Sequence, residues 1–381
     1  MPHTVAENPQ EDSLWLQFLT TDQIDREAKR GLLMAGLTPT ALLQSEAHQD
    51  SQVARLQRLL LSNPKHEFSA RLRFSATLLH LGEQALLAGD DRRYPTLLGE
   101  LSDAPLALFV AGDLSCLNRP AIAVVGSRHP SRDGLRLAER VGYELAAAGF
   151  LVVSGLAAGV DAAAHRGALA SGGQTLAVMA TGLDRIYPAC HGSLAQAIVQ
   201  QGALVTEFCP GVSPHRWHFP RRNRTLSGLC LATVVIEAGR PSGSLITATA
   251  AAEQGREVFA APWSLFHKNG AGCLYLLSEG AHLLLTPAKL IEQMGGSLAG
   301  WAALSERPPG SQFDAGGAGH PVLGFREKQL LRLIGDGDID LATLVSESGL
   351  SVDDVLTTVT RLELGGYVAQ THAGFTVQRH E

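Results

Sequence analysis

Ten consecutive residues, His215-Arg-Trp-His-Phe-Pro-Arg-Arg-Asn-Arg224, hold four arginines, two histidines and two large aromatic rings. No Asp or Glu occurs between Phe208 and Ile236. Guanidinium forks pair with phosphate oxygens, and flat rings offer faces on which unpaired bases stack. Duplex bases are already stacked and have no use for an exposed ring. The segment therefore suits a groove that tracks single-stranded nucleic acid, with Phe219, Arg221, Arg222, Asn223 and Arg224 as candidate contacts. The plainer alternative is a solvated basic loop with Trp217 and Phe219 tucked into the core.

Three further loops suit anions. Gly126-Ser127-Arg128 follows an apolar run and precedes a helical one, so its backbone N–H groups and the Arg128 fork could approach a phosphate; an ordinary strand-to-helix turn reads the same. Ser154-Gly155-Leu-Ala-Ala-Gly159 leads into Asp161 and His165, which share a helix face at a spacing of four. They make either an acid/base pair or, more simply, a structural bond that holds the loop. Ser242-Gly243-Ser244-Leu-Ile-Thr247 opens another helix with small hydroxyl residues and a glycine, which fits phosphate oxygens and helix capping alike. Absent are any G-x-G-x-x-G pattern, any Gly-Lys pair for a Walker loop and any acid ending the second strand to hold a ribose. These absences argue against dinucleotide binding and ATP hydrolysis, and no cofactor or metal is expected.

The elements that would carry these loops alternate. Strands are predicted at Ala121–Val125, Phe150–Val153, Thr175–Met179, Ala203–Thr206, Thr233–Ile236 and Glu257–Ala260. Helices are predicted at Arg132–Ala148, Val160–Ala170, Ser193–Gln201 and Ser244–Gln254. Strict alternation implies a parallel sheet with helices on both faces, and in such sheets ligands bind outside the carboxyl ends of the strands. All four loops fall at such ends. Phosphates of one strand are thus expected across the helix N-termini after the first, second and fifth strands, with Arg128, Arg222 and Arg224 neutralising them and Phe219 stacking a base. Replacing both Arg222 and Arg224 by Glu is expected to remove binding and leave the fold intact.

A chain of 381 residues exceeds one ordinary domain. Residues 13 to about 85 show helical spacing (Leu14, Trp15, Phe18 and Leu19, then Leu56, Leu59, Leu60 and Leu61) and predict a small helical bundle. Residues 295–321 hold seven glycines and three prolines and read as a flexible linker. Residues 322–381 predict helices at Phe325–Ile334, Leu341–Ser348 and Val352–Leu364, then a hairpin over Tyr367–Val377, which together suggest a winged helix. The net charge of −6 confines any nucleic-acid site to a local patch. Of 31 basic residues 26 are arginines, a bias that codon usage can produce and that also suits phosphate clamps. No run approaches the roughly 20 apolar residues of a membrane span, and Met1 to Asp12 lacks the apolar segment of a signal peptide. The five cysteines include no C-x-x-C pair, which suggests reduced, structural thiols and a cytoplasmic location.

The runs from Val125 to Ser131, Val153 to Arg166, Thr181 to Pro188, Phe219 to Arg224, Ser242 to Thr247, Glu253 to Ala260 and Gly272 to Ala281 resemble, in order and spacing, the DNA processing protein A (DprA/Smf) family. The resemblance covers roughly residues 95–294. It implies an α/β fold: a Rossmann-like parallel-sheet core over 86–294, an N-terminal helical, SAM-like domain over 1–85, and a C-terminal winged-helix domain over 322–381 beyond the 295–321 linker. It also implies a sequence-independent single-stranded-DNA-binding protein with no catalytic activity, acting as a homodimer. Such a protein protects incoming DNA in natural transformation and helps load the RecA recombinase in place of single-strand-binding protein, a further partner. By motif, Arg128 matches the family's arginine after the first strand, Phe219, Arg222 and Arg224 its DNA-contacting loop, and Gly243 and Ser244 its phosphate-holding turn. The expected contact set is Gly126, Ser127, Arg128, Gly155, Phe219, Arg221, Arg222, Asn223, Arg224, Gly243 and Ser244. Three positions depart from the family pattern: Ala180 stands for a glycine, Pro262-Trp263-Ser264 for Pro-Gly-Ser, and His191 for a lysine that often helps hold DNA.

Two other functions have sequence features of their own. A phosphoribohydrolase acting on nucleoside monophosphates would use Asp161, His165 and Glu237 as acids or bases. A duplex-binding regulator would use the winged helix, yet residues 325–381 carry five basic residues against nine acids, the wrong balance for phosphate neutralisation. That unit is expected to contact protein or to pack. The apolar stretch Cys273–Leu285 is a candidate dimer surface, and a core strand would read the same.

Overall fold

The computed structural model describes residues 9–20, 26–34, 37–44, 84–89 and 91–295, and beyond these 330–331, 333–334, 339–348, 350, 352–364, 367–371 and 374–377. The expected helical segment around Leu56–Leu61, nearly all of the 295–321 linker and the first half of the Phe325–Ile334 helix lie outside the described residues.

In chain order the elements are α1 (Pro9–Thr20), α2 (Arg26–Met34), α3 (Pro39–Gln44), β1 (Ala85–Ala88), the short α4 (Thr96–Gly99), β2 (Ala107–Gly112), β3 (Ala121–Val125), α5 (Arg132–Ala147), β4 (Leu151–Ser154), α6 (Val160–Ala170), β5 (Thr175–Val178), α7 (Gly192–Gln201), β6 (Ala203–Thr206), α8 (His218–Gly228), β7 (Ala232–Val235), α9 (Gly243–Glu253), β8 (Glu257–Ala260), α10 (Ala271–Ser278), β9 (His282–Leu283), α11 (Leu341–Ser348), α12 (Val352–Leu364), β10 (Val368–Thr371) and β11 (Gly374–Val377). Strands β1 to β9 form one sheet in the order β1-β2-β6-β5-β4-β3-β7-β8-β9. The six strands expected from sequence are present and mutually parallel. Two differences emerge at the edges. β1 and β2 form an antiparallel hairpin that joins β6 antiparallel, so the sheet is mostly rather than wholly parallel. The two-residue β9 extends the other edge beside β8. Sequence periodicity missed them because Ala85–Ala88 and Ala107–Gly112 are continuous apolar runs without alternation, and His282–Leu283 is only two residues long.

The central strands are buried on both faces, as a covered parallel sheet requires. Alternation decides which core each residue joins. Ile122 and Val124 of β3 pack with Val141 and Leu145 of α5 and Val160 and Ala164 of α6. Ala121, Ala123 and Val125 face the other way, toward Leu226 and Leu229 of the α8 segment, Ala248 of α9 and Cys273 and Leu276 of α10. Helices α5 and α6 cross at close range because a Cβ at Gly142 would overlap the Ala164 carbonyl and one at Gly167 the Glu139 carbonyl. The N-terminal helices share a core with the sheet: Trp15, Phe18, Leu33 and Leu42 pack with Leu86, Phe109 and Leu204.

The chain divides into two compact units, residues 1–251 with 257–315, and residues 252–256 with 316–381. In the second, α11, α12 and the β10–β11 hairpin close a small core of Leu344, Val355, Val359, Leu362, Val368 and Phe375, which is the arrangement expected of a winged helix.

Candidate nucleic-acid interface

β3 is followed through β4, β5 and β6 in one direction, and the chain then returns to place β7 on β3's other side. The strand order therefore reverses between β3 and β7, the position where open α/β sheets hold ligands. A cleft of about 510 Å³ opens there. Its walls are the loop after β3 (Gly126 to His129), the first turn of α9 with the loop before it (Gly239 to Thr247), and one face of α8.

The basic segment expected as a loop is largely helix α8, beginning at His218. Pro220 falls in its first turn, where a missing N–H costs nothing. The helical repeat splits the arginines between two faces. Phe219, Arg222, Asn223 and Leu226 line the switch-point cleft. Arg221, Arg224 and Thr225 face a separate small recess with Arg26, Asp103 and Glu207. There Arg221 Nε lies 2.6 Å from Glu207, whose side chain is buried, and Arg224 Nε lies 2.5 Å from Asp103. Trp217 is 64% exposed, so the alternative that tucked it into the core fails for that ring, while Phe219 is half-buried.

Arg222 is not a surface clamp. It is 5% exposed, and its Nη1 donates to the carbonyls of Gly155 at 2.5 Å and Val178 at 2.7 Å. Asp161, equally buried, accepts the N–H groups of Gly155 at 3.1 Å and Ala157 at 3.4 Å. Burial works against both charges, pushing the Asp161 carboxyl up and the Arg222 guanidinium down, while each opposes that shift in the other. Replacing Arg222 by Glu would set a second buried carboxylate against Asp161, so the expectation that the Arg222/Arg224 double exchange leaves folding intact is overturned.

Two of the three helix N-termini expected to receive phosphate already hold a carboxylate. At α6 the loop N–H groups go to Asp161. At α5 the wholly buried Glu237 accepts from Ser131 N at 3.0 Å and from Ser131 Oγ at 2.6 Å, and Ser131 Oγ caps Gly134 N. The third N-terminus, α9, opens on the cleft. Open space surrounds Gly243, Ser242 and Ser244 share a hydroxyl bond of 2.7 Å, and Asn223 Nδ2 reaches the Gly243 carbonyl at 3.3 Å. Arg128 is exposed at the opposite wall, its guanidinium carbon 5.3 Å from the centre of the Phe219 ring. Tyr187 meets that ring edge-on at 5.9 Å. Among the described residues, Asp161 is the sole carboxylate lining the cleft, and its side chain is turned inward to the Gly155 and Ala157 N–H groups.

Of the residues singled out by sequence, the cleft brings together Gly126, Ser127, Arg128, Phe219, Arg222, Asn223, Gly243 and Ser244. Gly155 lies beneath, against Arg222, and Arg221 and Arg224 are on the far face of α8. Asn269 escaped sequence reasoning: it lines the cleft and its Nδ2 donates to the His129 carbonyl at 3.2 Å. The 140-residue separation carries no local signal, and only the β8-to-α10 connection brings it there. Asp161 and His165 do not form a pair: His165 Nδ1 sits 2.7 Å from Thr175 Oγ1, and burial with His191 and Arg222 nearby pushes its pKa down to about 3. No group of His, Cys, Asp and Glu suited to a metal occurs among the described residues, and no helix there is long and apolar enough to cross a membrane.

A doubly wound, mostly parallel sheet with an arginine-flanked crevice at its switch point, together with a small winged-helix unit, defines a two-unit protein with a Rossmann-like core. Residues 85–295 match the family model of DNA recombination-mediator protein A, and residues 325–374 that of the DprA winged helix domain. The chain belongs to the DNA recombination-mediator protein A family. It is 39% identical over 291 residues to protein Smf of Escherichia coli, spanning 76% of each chain, and 45% identical to DNA processing protein DprA of Streptococcus pneumoniae over 51% of this chain and 68% of that one. The crystal structure of the Streptococcus pneumoniae protein superposes with a TM-score of 0.60 at 34% identity, covering 75% of this chain and 97% of that one. DNA processing protein A from Helicobacter pylori, whose structure concerns a single-stranded DNA binding mode, superposes with a TM-score of 0.52 at 28% identity over 56% of this chain and 97% of that one.

Proposed function

We propose that this protein binds single-stranded DNA without sequence preference, in the cleft between β3 and β7, and serves DNA processing in natural transformation. One observation carries the reading: an exposed arginine fork, a half-buried ring and an open helix N-terminus converge on one crevice whose only carboxylate among the described residues is turned inward. A phosphate lies at the first turn of α9, where the Gly243 backbone and the hydroxyl pair of Ser242 and Ser244 meet the anion. Arg128 neutralises the neighbouring phosphate, and Gly126 and Ser127, which line the cleft beside it, hold its loop in place: Gly126 packs closely on Val160 and Glu237, and Ser127 is bonded to both. Phe219, flanked by Arg128 and Tyr187, offers its ring to an unpaired base. Gly155 and Arg222 build the floor, and Arg221 and Arg224 brace α8 from behind. The family likeness and the Helicobacter pylori relative support the ligand class.

The same reading extends to hand-over of the bound strand to the RecA recombinase in place of single-strand-binding protein, by a cytoplasmic homodimer. The β9 edge, where Leu283 and Leu285 are exposed, is the proposed dimer surface, whereas Cys273 and Leu276 of that stretch belong to the core. The acidic winged-helix unit contacts protein rather than DNA. No catalytic step is assigned: Asp161, His165 and Glu237 are buried and engaged internally.

Competition for the protein between unlabelled oligo-dT and a matched duplex tests the ligand class. Displacement of a labelled oligo-dT by the single strand at much lower concentration supports the reading, and equal displacement by the duplex contradicts it.

A further inference from the structure

The connection from β8 to α10 carries Pro262-Trp263-Ser264-Leu265-Phe266-His267-Lys268. Leu265 and Phe266 are 87% and 97% exposed, the most exposed large apolar residues among those described. They occupy the centre of a tight turn closed by His267 N donating to the Ser264 carbonyl at 2.8 Å, and Ser264 Oγ accepts from Phe266 N at 3.3 Å.

The turn is fastened from beneath. The Trp263 ring stacks on His267 with centroids 4.4 Å apart, and its Nε1 donates to the Ile236 carbonyl at 2.7 Å. Gly270 is packed so closely on the indole that a Cβ there would overlap it. Two apolar side chains are thus held out in water on a braced support. They contribute nothing to the core, and leaving them exposed costs free energy unless something covers them.

The position identifies the occupant. Asn269, three residues beyond Phe266, lines the switch-point cleft and is bonded to the loop that carries Arg128. Lys268 adjoins the turn, and no Asp or Glu occurs from Val258 to Ser278. A ring beside a positively charged cleft, with no carboxylate in its own segment, fits a polyanion with flat apolar faces, whereas an apolar protein groove has no need of the flanking cations.

We propose that Phe266, backed by Leu265, is a second stacking platform, which holds a base of the strand after it leaves the cleft. The proposal rests on the single-stranded-DNA reading above and adds a subsite to it. The bulky Trp263, where the family pattern has glycine, supplies the support that keeps the platform raised.

The test is anisotropy titration of the full chain with labelled oligo-dT, comparing wild type with Phe266→Ala, Phe266→Leu and Phe266→Trp. Both Phe266→Ala and Phe266→Leu should weaken binding by about fivefold or more, the lower end of the loss of one stacked base. Phe266→Trp should bind at least as well as wild type, and thermal melting should be the same for all four. An oligonucleotide with abasic positions should erase the difference between wild type and Phe266→Ala. Wild-type affinity in Phe266→Ala, or a leucine that serves as well as phenylalanine, overturns the platform while leaving the cleft reading intact. Failure of the wild type itself to bind oligo-dT overturns both.

Discussion

The Arg222 guanidinium packs against Gly155, where a side chain would begin, and donates from Nη1 to the Gly155 carbonyl at 2.5 Å. The two residues are 67 positions apart, and glycine is required because any Cβ would overlap the guanidinium. Since the Gly155 N–H goes to Asp161, one glycine joins a buried cation and a buried carboxylate beneath the cleft. The interaction locks α8 to the loop after β4 and thereby sets where Phe219 stands.

Arg222→Ala therefore tests stability before it tests binding. Removing the side chain takes the Nη1 donor from the buried Gly155 and Val178 carbonyls and an opposing charge from the neighbourhood of Asp161, a loss of about 1–3 kcal/mol. Urea unfolding should show a correspondingly lower midpoint with an unchanged slope. Gly155→Ala should act in the same direction by displacing the guanidinium. A melt indistinguishable from wild type for both would mean that the pair does not hold the loop.

The fold's main alternation was legible in the sequence because the central strands are short apolar runs rich in Val, Ile and Thr and most helices between them are longer and rich in alanine. The basic segment misled in part. Its residue types signalled phosphate and base chemistry, but nothing local indicated that α8 would turn Arg221 and Arg224 toward Glu207 and Asp103 and bury Arg222. Likewise the loops before α5 and α6 look ready for an anion, but Glu237 and Asp161 already take N–H groups there, and Gly155 and Gly159 make room for Arg222 and for the Ser127–Arg128 backbone. Those partners are set by tertiary contacts, which periodicity does not carry.

Arg224 and Arg128 should separate in a binding assay. Arg224→Ala removes a surface ion pair with Asp103, worth no more than about 1 kcal/mol, and should change oligo-dT affinity far less than Arg128→Ala. Equal losses from the two would place the strand over both faces of α8.

Phe219→Ala should weaken oligo-dT binding by about 1–3 kcal/mol, the usual magnitude for one stacked base. Residual duplex binding, which needs no stacking ring, should be unaffected. Isothermal titration with each nucleic acid measures both, and a parallel loss on duplex would assign Phe219 a purely structural part.

His165 makes folding sensitive to acid. Its folded pKa of about 3 lies below the ordinary 6.5, so between these values the unfolded chain binds a proton that the native protein excludes. Stability from this group is present above about pH 6.5 and is lost as pH falls toward 3, by at most about 1.4 kcal/mol per pH unit. His165→Asn should flatten the pH dependence of the urea midpoint over that window. An unchanged slope would show that another group governs it.

The central claim is that Arg128 neutralises a phosphate of a single strand at the switch-point cleft. It is tested most directly by fluorescence anisotropy of labelled oligo-dT with wild type and Arg128→Ala across a range of salt concentrations. The wild type should bind tightly at low salt, and the variant should bind more weakly, with a log–log salt slope shallower by about 0.7, the share of one phosphate on a single strand. A variant that matches the wild type in both affinity and slope, with its melting temperature unchanged, would contradict the account.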